Sequence, residues 1–313
     1  MRYAACVIVA VEILWGVACV ADELPKDTNE IKTLTADQAQ ALAQHKGDLR
    51  LDGLTTLSDE AANALAQHKG KLHLNGLTTL SDEAATAFAQ HKGELYLSGL
   101  TTVSDEVEKS LAQHKGKLHI NGLTTLVSAE LATRMQHDHN AYMLNLDRLT
   151  TLGPEAAKVL AQRTHNLQLN GLETLSDEAA TALSRQKDIL SLNGLTTLSP
   201  EAAKVLSQHE GALLLDGLTT LSPEAAKVLA QRVHNLHLNG LTTLSDEAAK
   251  ALSQHRRSHL ELNGLTTLSD EAARSFAKRS GSLRLDGLTT LSDEAAKALR
   301  TNPLIRMPDK FRR

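Results

Sequence analysis

Fourteen histidines in a chain of 313 residues raise metal chemistry first. His73 and His119 hold equivalent places two repeat units apart. As neighbouring-but-one strands their backbones would stand about 9–10 Å apart. Zinc needs both nitrogens within about 2.1 Å of one ion, which parallel side chains do not reach. His45, His68, His91 and His114 recur at a helix end, where a cation suits the negative pole of the dipole. His137-Asp138-His139 is the densest local group, but it lacks the spacing of a metal-ligand motif. Neither a metal nor any other cofactor is expected.

Carboxylates and hydroxyls give no better case for catalysis. The Asp-Glu pairs recur at helix starts, where the dipole accounts for them. The Asp or Asn before Gly (Asp52, Asn75, Asn121, Asp216, Asn239, Asp286) could suggest calcium, but a turn explains it. Paired threonines suggest an ice-binding array. Adjacent residues of an extended chain point opposite ways, so only one column could face out. There is no P-loop, no G-x-S-x-G, no H-E-x-x-H and no cysteine nucleophile. Each residue type recurs at equivalent places, whereas an active site needs different groups converging on one spot. The chain reads as a non-enzyme.

The element that carries these residues is a repeat of 23 residues, L-x-L-x-G-L-T-T-L-S-D-E-A-A-x-A-L-A-Q-H-K-G-x. It starts at Leu49, Leu72, Leu95, Leu118, Leu144, Leu167, Leu190, Leu213, Leu236, Leu260 and Leu283, eleven units in all. Leu49-Arg50-Leu51 alternates as a half-buried strand does. Asp52-Gly53 offers the positive φ of a tight turn. Ser58 is a helix N-cap, and Pro154, Pro200 and Pro223 stand where a first helical residue tolerates proline. The helix is expected to run about ten residues, to Gln67-His68-Lys69, with Gly70 left-handed behind it. One unit cannot enclose a core, but stacked units can. Strands stack at about 4.8 Å and helices at about 8–10 Å, so the stack must bend with its strands inside.

The L-x-L-x-x-L-x-x-L-S-D-E-A-A pattern resembles the leucine-rich repeat family over residues 31–300. It is most similar to the convex-helix subclasses: ribonuclease-inhibitor-like, GALA-like and cysteine-containing repeats. The resemblance implies a curved right-handed α/β solenoid with a parallel sheet on the concave face, short α-helices on the convex face and commonly a protein partner. One departure stands out. Where the family carries Asn or Cys in the turn, this chain has Leu54, Leu77 and Leu100. The turn backbone must then find other partners, with the hydroxyls of Thr55 and Thr56 as candidates.

The N-terminus reads as an export signal over 1–21. Arg2 precedes an apolar run, broken by Glu12, that ends at Cys19-Val20-Ala21. Val17-Ala18-Cys19 offers lipoprotein anchoring at Cys19 as the alternative. Cleavage after Ala21 would remove both cysteines, Cys6 and Cys19, and leave no membrane-inserted segment. Residues 22–47 form a linker and half-repeat cap, 48–300 the solenoid, and 301–313 a C-terminal cap with a frayed basic tail. Val127 is an insertion and Arg148 stands where ten other units have Gly, so 127–148 should be the irregular seam. A secreted or periplasmic location follows.

The binding surface should be the column between the two strand leucines. It contains Arg50, His73, Tyr96, His119, Asn145, Gln168, Ser191, Leu214, His237, Glu261 and Arg284. This column varies while the flanking leucines do not. Lys71, His73, Tyr96, Lys117 and His119 form a basic-aromatic group, and Met143, Ile189, Ala212 and Leu214 an apolar one. The net charge of -4 is too mild for a nucleic-acid partner. An exported protein-binding or scaffolding module is expected; the alternative is an envelope-associated structural protein without a specific ligand.

Overall fold

A computed structural model describes residues 27–138, 144–163, 165–255 and 258–312. The expected signal segment 1–21 and the site candidate Met143 lie outside the described residues.

Serine opens the helices as its type and place predict. The hydroxyls of Ser81, Ser199 and Ser292 accept from the N–H groups of Ala84, Ala202 and Ala295 at 3.0, 2.9 and 2.9 Å. Pro200 and Pro223 sit at the first helical position. In the N-terminal half-unit Thr35 and Gln38 close a capping box. Helices such as Asp59–Leu65 and Asp82–Ala89 have seven and eight residues, fewer than the ten expected. They stop short because the next residues turn back to the neighbouring unit. Ala61, Ala62 and Leu65 are fully buried; the small alanines let the helix lie close to the strands.

Each unit also supplies a two-residue strand, and the strands pair parallel and in register, Leu49 opposite Leu72 and Leu213 opposite Leu236. One run joins four strands from Leu49–Arg50 to Leu118–His119. A second joins eight, from Leu144–Asn145 to Ile305–Arg306. Helix packs on helix and strand on strand along the series, which makes the chain an α/β repeat solenoid. Leu51, Leu54, Leu74 and Leu77 are wholly removed from solvent, each burial contributing about 1.5–3 kcal/mol. The basic tail is docked rather than frayed: Arg300 Nε donates to the Phe311 carbonyl at 3.1 Å, and Lys310 Nζ to that of Thr289 at 2.8 Å.

The turn backbone finds its partners in the Asp/Asn column, and only partly in threonine. Asp52 Oδ1 accepts from Asn75 N–H at 3.0 Å, and Asn75 Oδ1 from Ser98 N–H at 2.9 Å. The ladder resumes from Asp147 through Asn170, Asn193, Asp216, Asn239 and Asn263 to Asp286. It lies two residues before the buried turn leucines Leu54 and Leu77. The first threonine of a pair adds a second tie, as from Thr124 Oγ1 to the Thr101 carbonyl at 2.8 Å. Both threonines of most pairs are exposed, not one as expected.

Glycine serves close approach here, not turn conformation. Among the described residues Gly47 alone has positive φ, at 106°. A Cβ on Gly76 would lie 2.2 Å from the Asp52 carbonyl oxygen, and one on Gly70 1.9 Å from that of Gly47. The left-handed conformation expected at Gly70 and in the Asp-Gly turns is therefore absent. What forbids a side chain is the backbone of the preceding unit.

The histidines at the helix ends are also placed differently. His68, His91 and His114 are buried, with rings stacked in a row at 6.4 and 5.9 Å. They face the unit before them. In later units Arg163, Gln186, His209, Arg232, His255, Arg279 and Asn302 take the same column. Helix polarity does act on it, but the helix in question belongs to the preceding repeat.

Regularity breaks after the fourth strand. Thr125–Leu126 pairs with Thr151–Leu152 in a separate two-stranded ladder. Glu108, which stands where other units have alanine, is buried there and accepts from the N–H groups of Val127 and Ser128.

Candidate partner-binding face

The sheet face exposes the side chains that alternate with the buried leucines. Three zones of different chemistry follow one another along it.

The first is an aromatic stack. His73 and Tyr96 rings lie 4.1 Å apart and nearly parallel, and Tyr96 and His119 repeat that spacing. In-register strands force the arrangement, since residues opposite each other in a parallel pair sit about one strand spacing apart. The Tyr96 ring fills the gap in which His73 and His119 would have had to share a metal. Arg50 and Lys117 are exposed beside the stack, and Lys71 is half-buried.

Glu94 sits within this group and was not among the residues picked from sequence. Tyr96 Oη donates to it at 2.8 Å, Lys71 Nζ lies 3.6 Å away and His119 Nε2 3.8 Å away. The Tyr96 hydrogen bond holds the Glu94 carboxyl below its ordinary pKa, and the same bond raises that of the phenol. Burial, then the charge of Arg50, lowers that of His73. The basic zone thus also holds one carboxylate, set against Lys71. Glu94 was legible in principle, because it occupies the same column as Lys71 and Lys117.

The middle zone is neutral and partly apolar. Ile189 is 36% exposed, and Ala212, Leu214 and Gln168 are half-buried. Ser191 is buried, donating to Asn170 Oδ1 at 2.6 Å and accepting from Asn193 Nδ2 at 3.1 Å. It belongs to the turn ladder more than to the surface. Asn145 lies in the strand that begins this zone.

The third zone converges on Glu261. His259 Nε2 lies 2.9 Å from Oε1, and His237 Nδ1 3.6 Å from Oε2. Arg284 Nη1 lies 3.4 Å from Oε1, and Asn239 Nδ2 donates to Oε2 at 3.1 Å. Burial pushes the Glu261 pKa up, but the bonds from His259 and Asn239 outweigh it and hold the value below normal. His237, Glu261 and Arg284 were expected on this face; His259 was not, although it directly precedes the strand leucine Leu260, in the same column as Lys71 and Glu94. Arg284 already supplies a positive charge to this carboxylate. No group of three or more His, Cys, Asp or Glu among the described residues is arranged to hold a metal ion.

No helix among the described residues is long and apolar enough to cross a membrane. No family model matches the sequence, and no curated protein does. Among solved structures, the chain is similar to a leucine-rich repeat protein of Leptospira interrogans at 18% identity and a TM-score of 0.36, over 92% of this chain and 91% of that one. It is also similar to an internalin of Listeria monocytogenes at 13% identity and a TM-score of 0.34, over 88% and 85%. The fold assignment rests on the strand register and the helix series described above.

Proposed function

We propose that the chain is an exported, non-catalytic module that binds a protein through its sheet face. One observation supports this reading above the others. Positions with a structural duty repeat from unit to unit, while the sheet-face column changes from stacked rings to an apolar middle to a charged cluster. Such a graded surface offers a partner distinct contacts along its length. The segment 1–21 supports export.

Affinity capture from the exported fraction of the source cell tests it, using the mature chain and two surface variants, Tyr96→Ala and Leu214→Glu. A partner retained by the wild type and lost from either variant supports the reading. Equal retention by all three, or no specific partner, favours an envelope-associated structural role, which the near-identity of the units also fits. N-terminal sequencing of the mature protein tests export, with Asp22 as the expected first residue.

A further inference from the structure

The column that begins at His68 is histidine in its first three units, and later units place arginine there at Arg163, Arg232 and Arg279 among histidines and amides. Each of four side chains in it reaches back to two carbonyls of the preceding unit. One belongs to that unit's helix and the other to the loop behind it. Arg232 donates from Nη1 to the Leu206 carbonyl at 2.7 Å and from Nη2 to that of Gly211 at 2.5 Å. Arg279 does the same to Leu252 at 3.2 Å and Ser258 at 2.8 Å. His114 places Nδ1 3.0 Å from the Phe88 oxygen and Nε2 3.1 Å from that of Gly93. His68 lies 3.4 and 2.9 Å from those of Ala43 and Gly47.

Carbonyl oxygens only accept. A neutral imidazole has one N–H and one lone pair, whereas the imidazolium has two N–H groups. The neutral ring can therefore satisfy one of the two carbonyls and must turn a lone pair toward the other. The charged ring satisfies both, as arginine does. The helix end it faces bears partial negative charge, and its carbonyl takes the side chain as a second donor where a backbone N–H already reaches it, as His91 N–H does the Phe88 carbonyl at 3.1 Å. Arg232 and Arg279 occupy the equivalent slot as buried cations, although burial lowers the pKa of each to about 10.

We propose that His68 and His114 are acid-responsive clamps: on protonation each ties its unit to the preceding one through two hydrogen bonds, so the N-terminal units cohere more tightly in mildly acidic medium than at neutral pH. The later units hold the same contact through Arg232 and Arg279 and do not respond in this way.

The surrounding charges determine which rings take part. His91 is stacked between the two clamps. Arg134 donates to the Gly116 carbonyl near His114, and His45, Lys46, Lys69, Lys92 and Lys115 are exposed at the same helix ends. These cations oppose protonation of adjacent rings. His91 is the ring that stays neutral, because burial, followed by the charge of His114, lowers its proton affinity. The late units follow the same rule, with His255 lying between Arg232 and Arg279 in the column.

Amide hydrogen exchange on the full chain, corrected for the intrinsic effect of pH on exchange, provides the test. Between pH 7.5 and 5.5 the helices Ala36–Ala43 and Asp59–Leu65 should become protected by roughly fivefold, the scale of a favourable cation at a helix end. In His68→Arg the protection should already be present at pH 7.5 and should not change. In His68→Gln, whose neutral amide offers two N–H donors as Asn302 does to the Ala277 and Arg279 carbonyls, protection should not change between the two pH values. Unchanged or faster exchange of the wild-type helices on acidification overturns the proposal, as does an arginine variant that still responds. Imidazole ¹⁵N spectra of the unmodified protein give an independent reading that needs no variant. At pH 5.5 both ring nitrogens of His68 and His114 should carry protons while those of His91 do not. Neutral His68 and His114 at that pH would also overturn it.

Discussion

Glu108 accepts a hydrogen bond from the Ser128 N–H at 2.6 Å and one from Val127 at 3.2 Å, so a buried carboxylate in one repeat satisfies the backbone of an insertion in the next. Neither residue fits the consensus alone. An extra residue leaves N–H groups without a ladder partner, and a carboxylate in place of alanine has no partner in a regular unit. Together they account for the seam.

Glu108→Ala restores the consensus residue yet should destabilise the protein by about 1 kcal/mol, because it removes the acceptor of two part-buried N–H groups. Deleting Val127 in the same chain should recover much of the loss. Chemical denaturation of the two single variants and the double variant measures the coupling, and simple additivity would refute it. Burial raises the Glu108 pKa. The folded state then holds this proton more tightly than the unfolded one. The residue's contribution to stability should fall as pH rises from the unfolded value, about 4.3, through the raised folded one. Glu108→Gln should remove that dependence.

Glycine substitutions should separate close approach from backbone conformation. Gly76→Ala drives a Cβ against the Asp52 carbonyl at 2.2 Å and should cost about 1–3 kcal/mol or more. Gly47→Ala meets nothing within 4 Å, so its cost comes only from the positive φ, about 1 kcal/mol. Thermal unfolding of both variants checks the order.

The turn ladder predicts that Asn193→Ala is costly although the residue is only part-buried. It removes the acceptor of the Asp216 N–H and should cost about 1–3 kcal/mol. Asn193→Asp keeps the acceptor and should lose less. Urea titration of the two variants distinguishes an acceptor role from a packing role.

His255 should act on stability with the opposite sign to the clamps. Burial, then the charge of Arg279, holds its pKa at about 4. As pH falls below about 6.5 the unfolded chain takes up a proton that the folded chain refuses. Stability should therefore be lost between about 6.5 and about 4, by a few kcal/mol from this residue. His255→Gln should flatten this part of the profile. An unchanged acid limb in the variant would exclude His255 as its source.

The sequence by itself determined the module and its stacking. The period, the serine caps, the proline at the first helical position and the paired strand leucines are local signals, which mark where each element begins even though elements this short are stable only when packed. It also marked Val127 and Arg148 as departures. What only the tertiary structure decided is how one unit meets the next. A glycine needed for positive φ and one needed because a carbonyl oxygen lies about 2 Å from its missing Cβ look alike in sequence. A histidine near its own helix end and one reaching into the preceding repeat look alike too. The Asp/Asn ladder, the His73–Tyr96–His119 stack and the Glu94 and Glu261 clusters join residues about one repeat apart, or two across the full stack. Their distances follow from the register of stacking, which no single unit encodes.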